Sequence, residues 1–284
     1  MADGYQTIIP ENNLRLPDAL TVRHGVGPLI GRFVLEGDRA ARAVGIHLRL
    51  RHDFDGLVAF SQAEAAAGRW YPVTDQYNPE RADISPHNGF WIAGENDAGE
   101  IVTTTAGRIF DWRGTNLAEQ AVTVFYGRDE GQPCTITPNL AEITRQITGI
   151  VYSAGAAWVR PDYRKRELSQ LMQRMAKAYA LSRWPIDWAI GFVPRALAEN
   201  GTAAGYGVKH LGFSFFYPGL RWPELVLAYT SAQEAYDDFG TFLDEELSDP
   251  ATRKFAAGSL GNSLAHDVTR VSPEGVRQGS SSRS

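Results

Sequence analysis

The chain has 284 residues, 43% of them hydrophobic and 21% charged, with a formal net charge of −5. That length holds one large α/β domain or two small ones, and the balance excludes a chain disordered overall. A mildly acidic protein has no global attraction for phosphate backbones or anionic membranes, so nucleic-acid or membrane binding is disfavoured as the main role, and any anion site must be local.

In chain order, Met1 to Pro10 lacks a charged stretch leading into a long apolar one, so no signal peptide is expected. No run of about 18 apolar residues occurs, so no transmembrane helix is expected. The Ala/Leu/Arg-rich stretch Asp38 to Leu50 predicts a helix, and Leu57 to Ala67 a second one beyond the polar break His52 to Gly56. Pro72 to Pro86 is a loop. Phe90–Ala93 and Ile101–Arg108 form a predicted hairpin around the turn Glu95 to Gly99. Leu117 to Tyr126 fits either a helix or a strand, and Pro138 to Ile147 a helix with Asn139 as its cap.

The second half has a clearer pattern. Ile150 to Val159 predicts a buried strand ending at Pro161. A helix follows from near Tyr163 to the stop at Pro185. Its apolar stripe is Leu168, Leu171, Met172, Met175, Ala178 and Tyr179, leaving Lys165, Gln170, Gln173, Arg174 and Lys177 for the other faces. Ile186 to Val193 is the next strand. Arg195 to Leu211 is a helix in part, weakened by Gly201, Gly205 and Gly207 and ended by Gly212. Two strands, Phe213 to Tyr217 and Glu224 to Thr230, joined at Pro218-Gly219, and a last helix, Ala232 to Leu247, complete the pattern.

The strand-to-helix junction carries the local anion site. Amides that open a helix have no partner within it, and the helix dipole is positive there. Such a turn can cradle a phosphate or pyrophosphate. Arg164, Lys165 and Arg166 add cationic charge at the same place.

Val159-Arg160-Pro161 followed by Arg164 to Ser169 resembles the cofactor-binding motif of the GNAT (GCN5-related N-acetyltransferase) superfamily, in which Gln/Arg-x-x-Gly-x-Gly/Ala opens a long amphipathic helix. Tyr206 to Phe213 resembles the Tyr-x-x-x-Gly-Phe end of that family's later helix. The resemblance spans roughly residues 90–230 and is specific from about 150 to 217. It implies an α/β fold with a mixed, mostly antiparallel sheet flanked by helices. Residues 1–89 are then a largely helical part leading into the sheet, 90–247 the GNAT-like core and 248–284 a C-terminal tail, together one compact domain.

The resemblance also implies acyl transfer, acetyl above all, from a coenzyme A thioester to a small-molecule amine or amino acid. Acetyl-CoA or another acyl-CoA is the co-substrate. Ala157, Trp158 and Val159 would pair with the pantetheine arm, and Arg164, Lys165, Arg166, Glu167, Leu168 and Ser169 would hold the pyrophosphate. Tyr206, Asp187 and Tyr152 are the candidate catalytic groups for proton transfer. The ordinary roles of these groups are a strand-edge acid for Asp187 and a core aromatic with a satisfied hydroxyl for Tyr152. A homodimer is compatible with the sequence.

Two positions depart from the family pattern. Glu167 stands where the first glycine is usual, and its charge repels phosphate unless it points away or pairs with Arg164 or Lys165. Val208 stands where many members carry a tyrosine that protonates the leaving thiolate; Tyr206 lies two residues earlier, about 200° around a helix axis. These departures support the alternative of a GNAT-fold binding or interaction module without catalysis. A third option is an acyl group delivered by a carrier protein.

Other chemistries find less support. The single cysteine, Cys134, cannot make an internal disulfide, suggests no zinc site and fits a reduced, cytoplasmic location. Gln132, Pro133 and Thr135 bring it neither base nor cation. His52, Asp53 and Asp55 lack further ligands at a metal-site spacing. Gly-x-Ser-x-Gly is absent, and Gly205-x-Gly207 lacks a third glycine. The aromatic residues around Trp184 to Trp188 and Phe215 to Trp222 would line an acceptor pocket or fill the core.

Overall fold

A computed structural model of the chain describes residues 13–164, 167–218 and 220–247. Its centre is one sheet of nine strands: β1 (Leu14–Arg15), β2 (His47–Arg51), β3 (Gly89–Glu95), β4 (Ile101–Trp112), β5 (Thr135–Ile136), β6 (Gly149–Val159), β7 (Trp188–Pro194), β8 (His210–Phe216) and β9 (Glu224–Ser231). The spatial order is β1-β2-β3-β4-β6-β7-β9-β8-β5, and every neighbouring pair is antiparallel except β6–β7. This is the mixed, mostly antiparallel sheet expected from the sequence.

The helices are α1 (Gly27–Ala43), α2 (Phe54–Ala66), α3 (Leu117–Tyr126), α4 (Ala141–Gln146), α5 (Leu168–Arg183), α6 (Arg195–Glu199) and α7 (Ala232–Phe242), the last continued by a π turn, Leu243–Leu247. Among the described residues no helix is long and apolar enough to cross a membrane. Side chains alternate across each strand, so consecutive residues serve opposite faces. Phe90, Ile92, Ile109 and Tyr152 join α1, α5 and α7 in one core. Trp91, Ala93, Phe110 and Val151 join α2, α3 and the loops on the other side. Both faces are covered, so the strands lack polar alternation in sequence.

Several sequence expectations change. Asp38 to Leu50 is not one helix: α1 starts at Gly27, with Pro28 in its first turn, and ends at Ala43. A proline there forfeits no helical hydrogen bond. Gly45 (φ 73°) turns the chain, and Leu48 and Leu50 then alternate with half-exposed neighbours along β2. The stretch is uniform in composition, but its period changes from helical to two.

Residues 117–126 settle as helix α3, whose first turn is capped by Asn116 Oδ1 accepting from Glu119 N at 3.2 Å. Helix α4 has Leu140, not Asn139, at its N-cap, because a 3-10 turn over Pro138–Leu140 comes first. The long helix after β6 starts at Leu168, five residues beyond Tyr163.

Gly212 ends no helix. Helix α6 stops at Glu199, and Gly212 lies inside β8, opposite Leu227 of β9 and against the Leu140 side chain. The three earlier glycines interrupt the helix, so the Gly-Phe step falls in a strand. The tail expected over 248–284, the segment Met1 to Pro10 and Gly219 lie outside the described residues.

Candidate active site

The parallel pair β6–β7 is the exception in the sheet, and it is only half made. Its register runs from Val151 opposite Trp188 to Ala154 opposite Gly191 and stops there. Both strands continue: β6 stays paired with β4 as far as Val159 opposite Thr103, and β7 stays paired with β9 as far as Pro194 opposite Leu225. Each strand keeps its outer neighbour while the two inner edges part. Backbone donors and acceptors on those edges have lost the ladder that would satisfy them.

A bulge in β6 sets the parting. The β4–β6 register shifts between Thr104 opposite Trp158 and Ala106 opposite Gly155, and Ala156 adopts φ 48°. An extra residue on one strand bends it and re-aims the residues beyond the bulge. Buried threonines of β4 fix the bend: Thr103 Oγ1 donates to Trp158 O and Thr104 Oγ1 to Ala156 O, each at 2.8 Å.

The cavity in the fork is lined by β6, by β7, by α5 from below and by the loop before β8. Tyr152, Gln173, Lys177 and Tyr206 supply its polar side chains, against a mainly apolar wall that includes Ala157, Gly191 and Val208. Gln173, Arg174 and Lys177, expected on outer faces of the helix, are buried. Packing of α1, α7 and the 200–208 loop around α5 covers the faces that a two-layer reading leaves to solvent. Gln173 Nε2 donates to Thr105 Oγ1 at 3.0 Å. Arg174 forms a bidentate pair with Asp238, at 2.8 and 3.0 Å, and donates to Gly205 O. Lys177 Nζ donates to Gly207 O. Gly205 and Gly207 let the loop lie close on α5: a Cβ at Gly205 would meet the Gln170 side chain at 2.7 Å, and Gly207 has φ 67°.

The candidate catalytic groups separate. Tyr152 and Tyr206 both line the cavity. Tyr152 is 1% exposed, and its hydroxyl, expected to be satisfied, has no hydrogen-bond partner among the described residues. Burial pushes its pKa well above that of an ordinary phenol, with a smaller contribution from Tyr77. Burial also raises the pKa of Tyr206, while a side-chain hydrogen bond with Ser169 opposes the shift.

Asp187 sits at the other, closed end of the pair. It accepts from Ile150 N at 2.8 Å and exchanges a backbone bond with Ile150 O, which ties the start of β7 to β6.

Of the expected cofactor residues, Ala157 lines the cavity. The Trp158 side chain faces away from it: Nε1 donates to Arg69 O at 3.1 Å and the ring stacks on Trp70. Val159 O accepts from Arg164 Nε at 3.1 Å, so Arg164 folds back over the strand end. The turn itself is anchored by Arg160, which pairs with Asp162 and Glu100. Leu168, the first residue of α5, is buried in the core that α5 shares with α1. Lys165 and Arg166 lie outside the described residues.

Glu167 holds φ 54°, ψ 13°, the left-handed conformation, at the N-cap of α5. That geometry costs a non-glycine residue about 1–2 kcal/mol. The chain therefore keeps, with a glutamate, the backbone shape that a glycine adopts freely. Strain of this sort is typical of positions held for function.

The sequence reading missed Lys177 and Gln173. One signal was available: they lie four residues apart, as does one helical turn's pair, and Ala176, Ala178 and Ala180 beside them suit close packing on all sides.

The remaining candidates resolve as structure. Cys134 is half-buried, and burial raises its pKa against the opposing effect of a hydrogen bond with Tyr217. His52 is buried with Nδ1 3.0 Å from Gly89 O, and the described residues contain no cluster of His, Cys, Asp or Glu suited to a metal. Trp184 stacks on Phe90, and Phe215 packs with Phe192 and Tyr217 in the core.

No family model and no curated protein sequence matches the chain. Solved structures with a partial likeness include Arabidopsis thaliana NAA60 in complex with acetyl-CoA, at 10% identity, covering 66% of this chain and 99% of that one with a TM-score of 0.42. FeeM, an N-acyl amino acid synthase from uncultured soil microbes, aligns at 13% identity over 67% of this chain and 93% of its own, with a TM-score of 0.40. Mutant forms of the spermidine/spermine N-acetyltransferase SpeG from Vibrio cholerae align at 12% identity over 67% and 96%, with a TM-score of 0.38.

Proposed function

We propose that the chain is a GNAT-type acyltransferase that moves an acyl group from a coenzyme A thioester to a small amine or amino acid. The observation that carries this reading is the arrested β6–β7 ladder, open beyond Ala154 and Gly191 and leading to the turn that starts α5. An extended thioester arm needs a slot edged by free backbone groups, which it can pair with as an added strand does. It also needs a helix start for its pyrophosphate, and here both lie on one strand-turn-helix unit. The polar groups inside suit the small end of such a substrate: the Tyr152 hydroxyl has no partner among the described residues and Tyr206 is tied to the turn through Ser169.

Within the cleft, the residues of this chain do limited work. The edge from Gly155 to Val159 aligns the arm. The apolar wall excludes water, which protects a thioester from hydrolysis. The amine must arrive unprotonated or shed its proton to water at the mouth, because the described cavity lining contains no carboxylate.

Thermal unfolding with millimolar acetyl-CoA tests the reading. A ligand at about a hundred times its Kd adds about 2.7 kcal/mol to the native state, a rise of several degrees in Tm. The comparator is Gly191→Val. A Cβ at Gly191 meets only Ala154, at 3.8 Å, so valine should fill the slot, leave the unliganded Tm nearly unchanged and abolish the shift. Release of free thiol from acetyl-CoA with a panel of small amines completes the test. No shift with acetyl-CoA sinks the acyl-CoA reading, and a shift seen only with an acyl-carrier protein moves it to that donor. A shift without thiol release from any amine favours a binding module.

A further inference from the structure

Lys177 ties α5 to the 200–208 loop through a bond to Gly207 O, a task that leaves most of its ammonium unused. It is 4% exposed and lines the cavity from α5. Its single described hydrogen bond runs to Gly207 O, so the ammonium has donors in excess of acceptors. The nearby carboxylate, Asp238, is engaged by both ends of the Arg174 guanidinium. Burying a cation without a carboxylate of its own costs several kcal/mol. Among the described residues lining the cavity it is the sole cationic side chain, the others being apolar, amide or phenolic.

We propose that Lys177 stabilises and protonates the thiolate that leaves during acyl transfer. This role rests on the acyl-CoA reading above and assigns to that site its proton donor. Breaking a thioester places negative charge on sulfur inside a slot that excludes water, and a fixed cation there acts where the charge develops. Val208, beside Gly207, also lines the cavity but has no proton to give.

Atoms and charge balance in the step. The amine nitrogen bonds to the acyl carbon, and the carbon–sulfur bond breaks with its electron pair going to sulfur. Sulfur takes a proton from Lys177 Nζ, the surplus proton of the new amide leaves to water at the mouth, and Lys177 regains one from solvent as CoA departs.

Proton matching agrees with this geometry. Burial lowers the Lys177 pKa to about 8, with Asp238 opposing and Arg174 assisting the shift, below the value of about 8.5 for a cysteine thiol and so acidic enough to protonate an alkyl thiolate. The titratable or charged groups around it are Arg174 on its own helix, Asp238 on α7, Tyr152 on β6 and Tyr206 on the loop. Both phenols are shifted the other way, upward, by burial.

The test needs no acceptor. Coenzyme A and desulfo-coenzyme A are bound to the wild type and to Lys177→Met, and the ultraviolet absorbance of the bound thiolate is followed from about pH 6.5 to 11, a range that covers alkyl thiols above the cysteine value of about 8.5. Bound coenzyme A should form thiolate about one pH unit lower than free, and by linkage the wild type's preference for it over the desulfo form should be absent at about pH 6.5 and climb towards about tenfold as the thiolate forms. Lys177→Met should lose both effects yet bind desulfo-coenzyme A as the wild type does. An unchanged thiolate titration in Lys177→Met overturns the role of the lysine and leaves the acyl-CoA reading standing. Failure of the wild type to bind either compound overturns both.

Discussion

The closed and open halves of the β6–β7 pair use the same two strands for opposite ends. In the closed half, Val151 to Ala154 lie in register with Trp188 to Gly191, and Asp187 fastens the entrance by bonding Ile150. In the open half, β6 carries a left-handed bulge at Ala156, and the ground beneath is polar: Gln173, Arg174 and Lys177, all buried, each with a named acceptor. The opening is therefore constructed and is not a gap left by weak pairing. The outer ladders to β4 and β9 carry each strand past the fork, and buried hydrogen bonds hold α5 and the 200–208 loop as its floor.

The largest effect should come from the floor. Asp238→Ala leaves the Arg174 guanidinium, 8% exposed, without its carboxylate, and should cost about 3 kcal/mol. Urea unfolding measures it, and a loss below about 1 kcal/mol, the worth of a surface pair, would show that the ion pair is not what supports the open half.

Asp187→Ala attacks the closed half. Losing one bond to Ile150 N at an exposed site should cost at most about 1 kcal/mol, with the acetyl-CoA shift intact. Loss of acyl transfer at unchanged stability would instead restore Asp187 as a catalytic group.

The smallest effect concerns the turn at the top of the open half. Glu167→Gly relieves a left-handed conformation worth about 1–2 kcal/mol but adds about 0.5–1 kcal/mol of unfolded-chain freedom, for a net gain of about 0.5–1 kcal/mol. Removing the carboxylate should also tighten coenzyme A binding. Weaker binding in the glycine variant would mean that Glu167 contacts the ligand productively.

Much of the closed half was legible in the sequence, because a strand, a proline stop and a helical stripe are local patterns. The apolar run from Ile150 and the spacing of Leu168, Leu171, Met172 and Met175 gave β6 and α5 to within a few residues. The junction motif falls on the turn between β6 and α5, though nothing in it foretold the left-handed glutamate.

The floor was not legible. Lys177 and Gln173 have the composition of a wet helix face, and only α1, α7 and a loop distant in sequence make that face dry. The switch from helix to strand within residues 38–50 was hidden by uniform composition. The placement of Gly212 in a strand depended on pairing with β9, a contact that no local pattern encodes.

The tryptophan at the rim gives the molecule an optical property. Trp158 belongs to the strand that borders the fork, and its indole stacks on Trp70 with ring centres 5.6 Å apart while bonding Arg69 O. Two indoles this close couple in their near-ultraviolet transitions, so near-ultraviolet dichroism reports their mutual geometry. A movement of this strand edge on ligand binding should therefore register in the near-ultraviolet dichroism of the pair, a readout that needs no label.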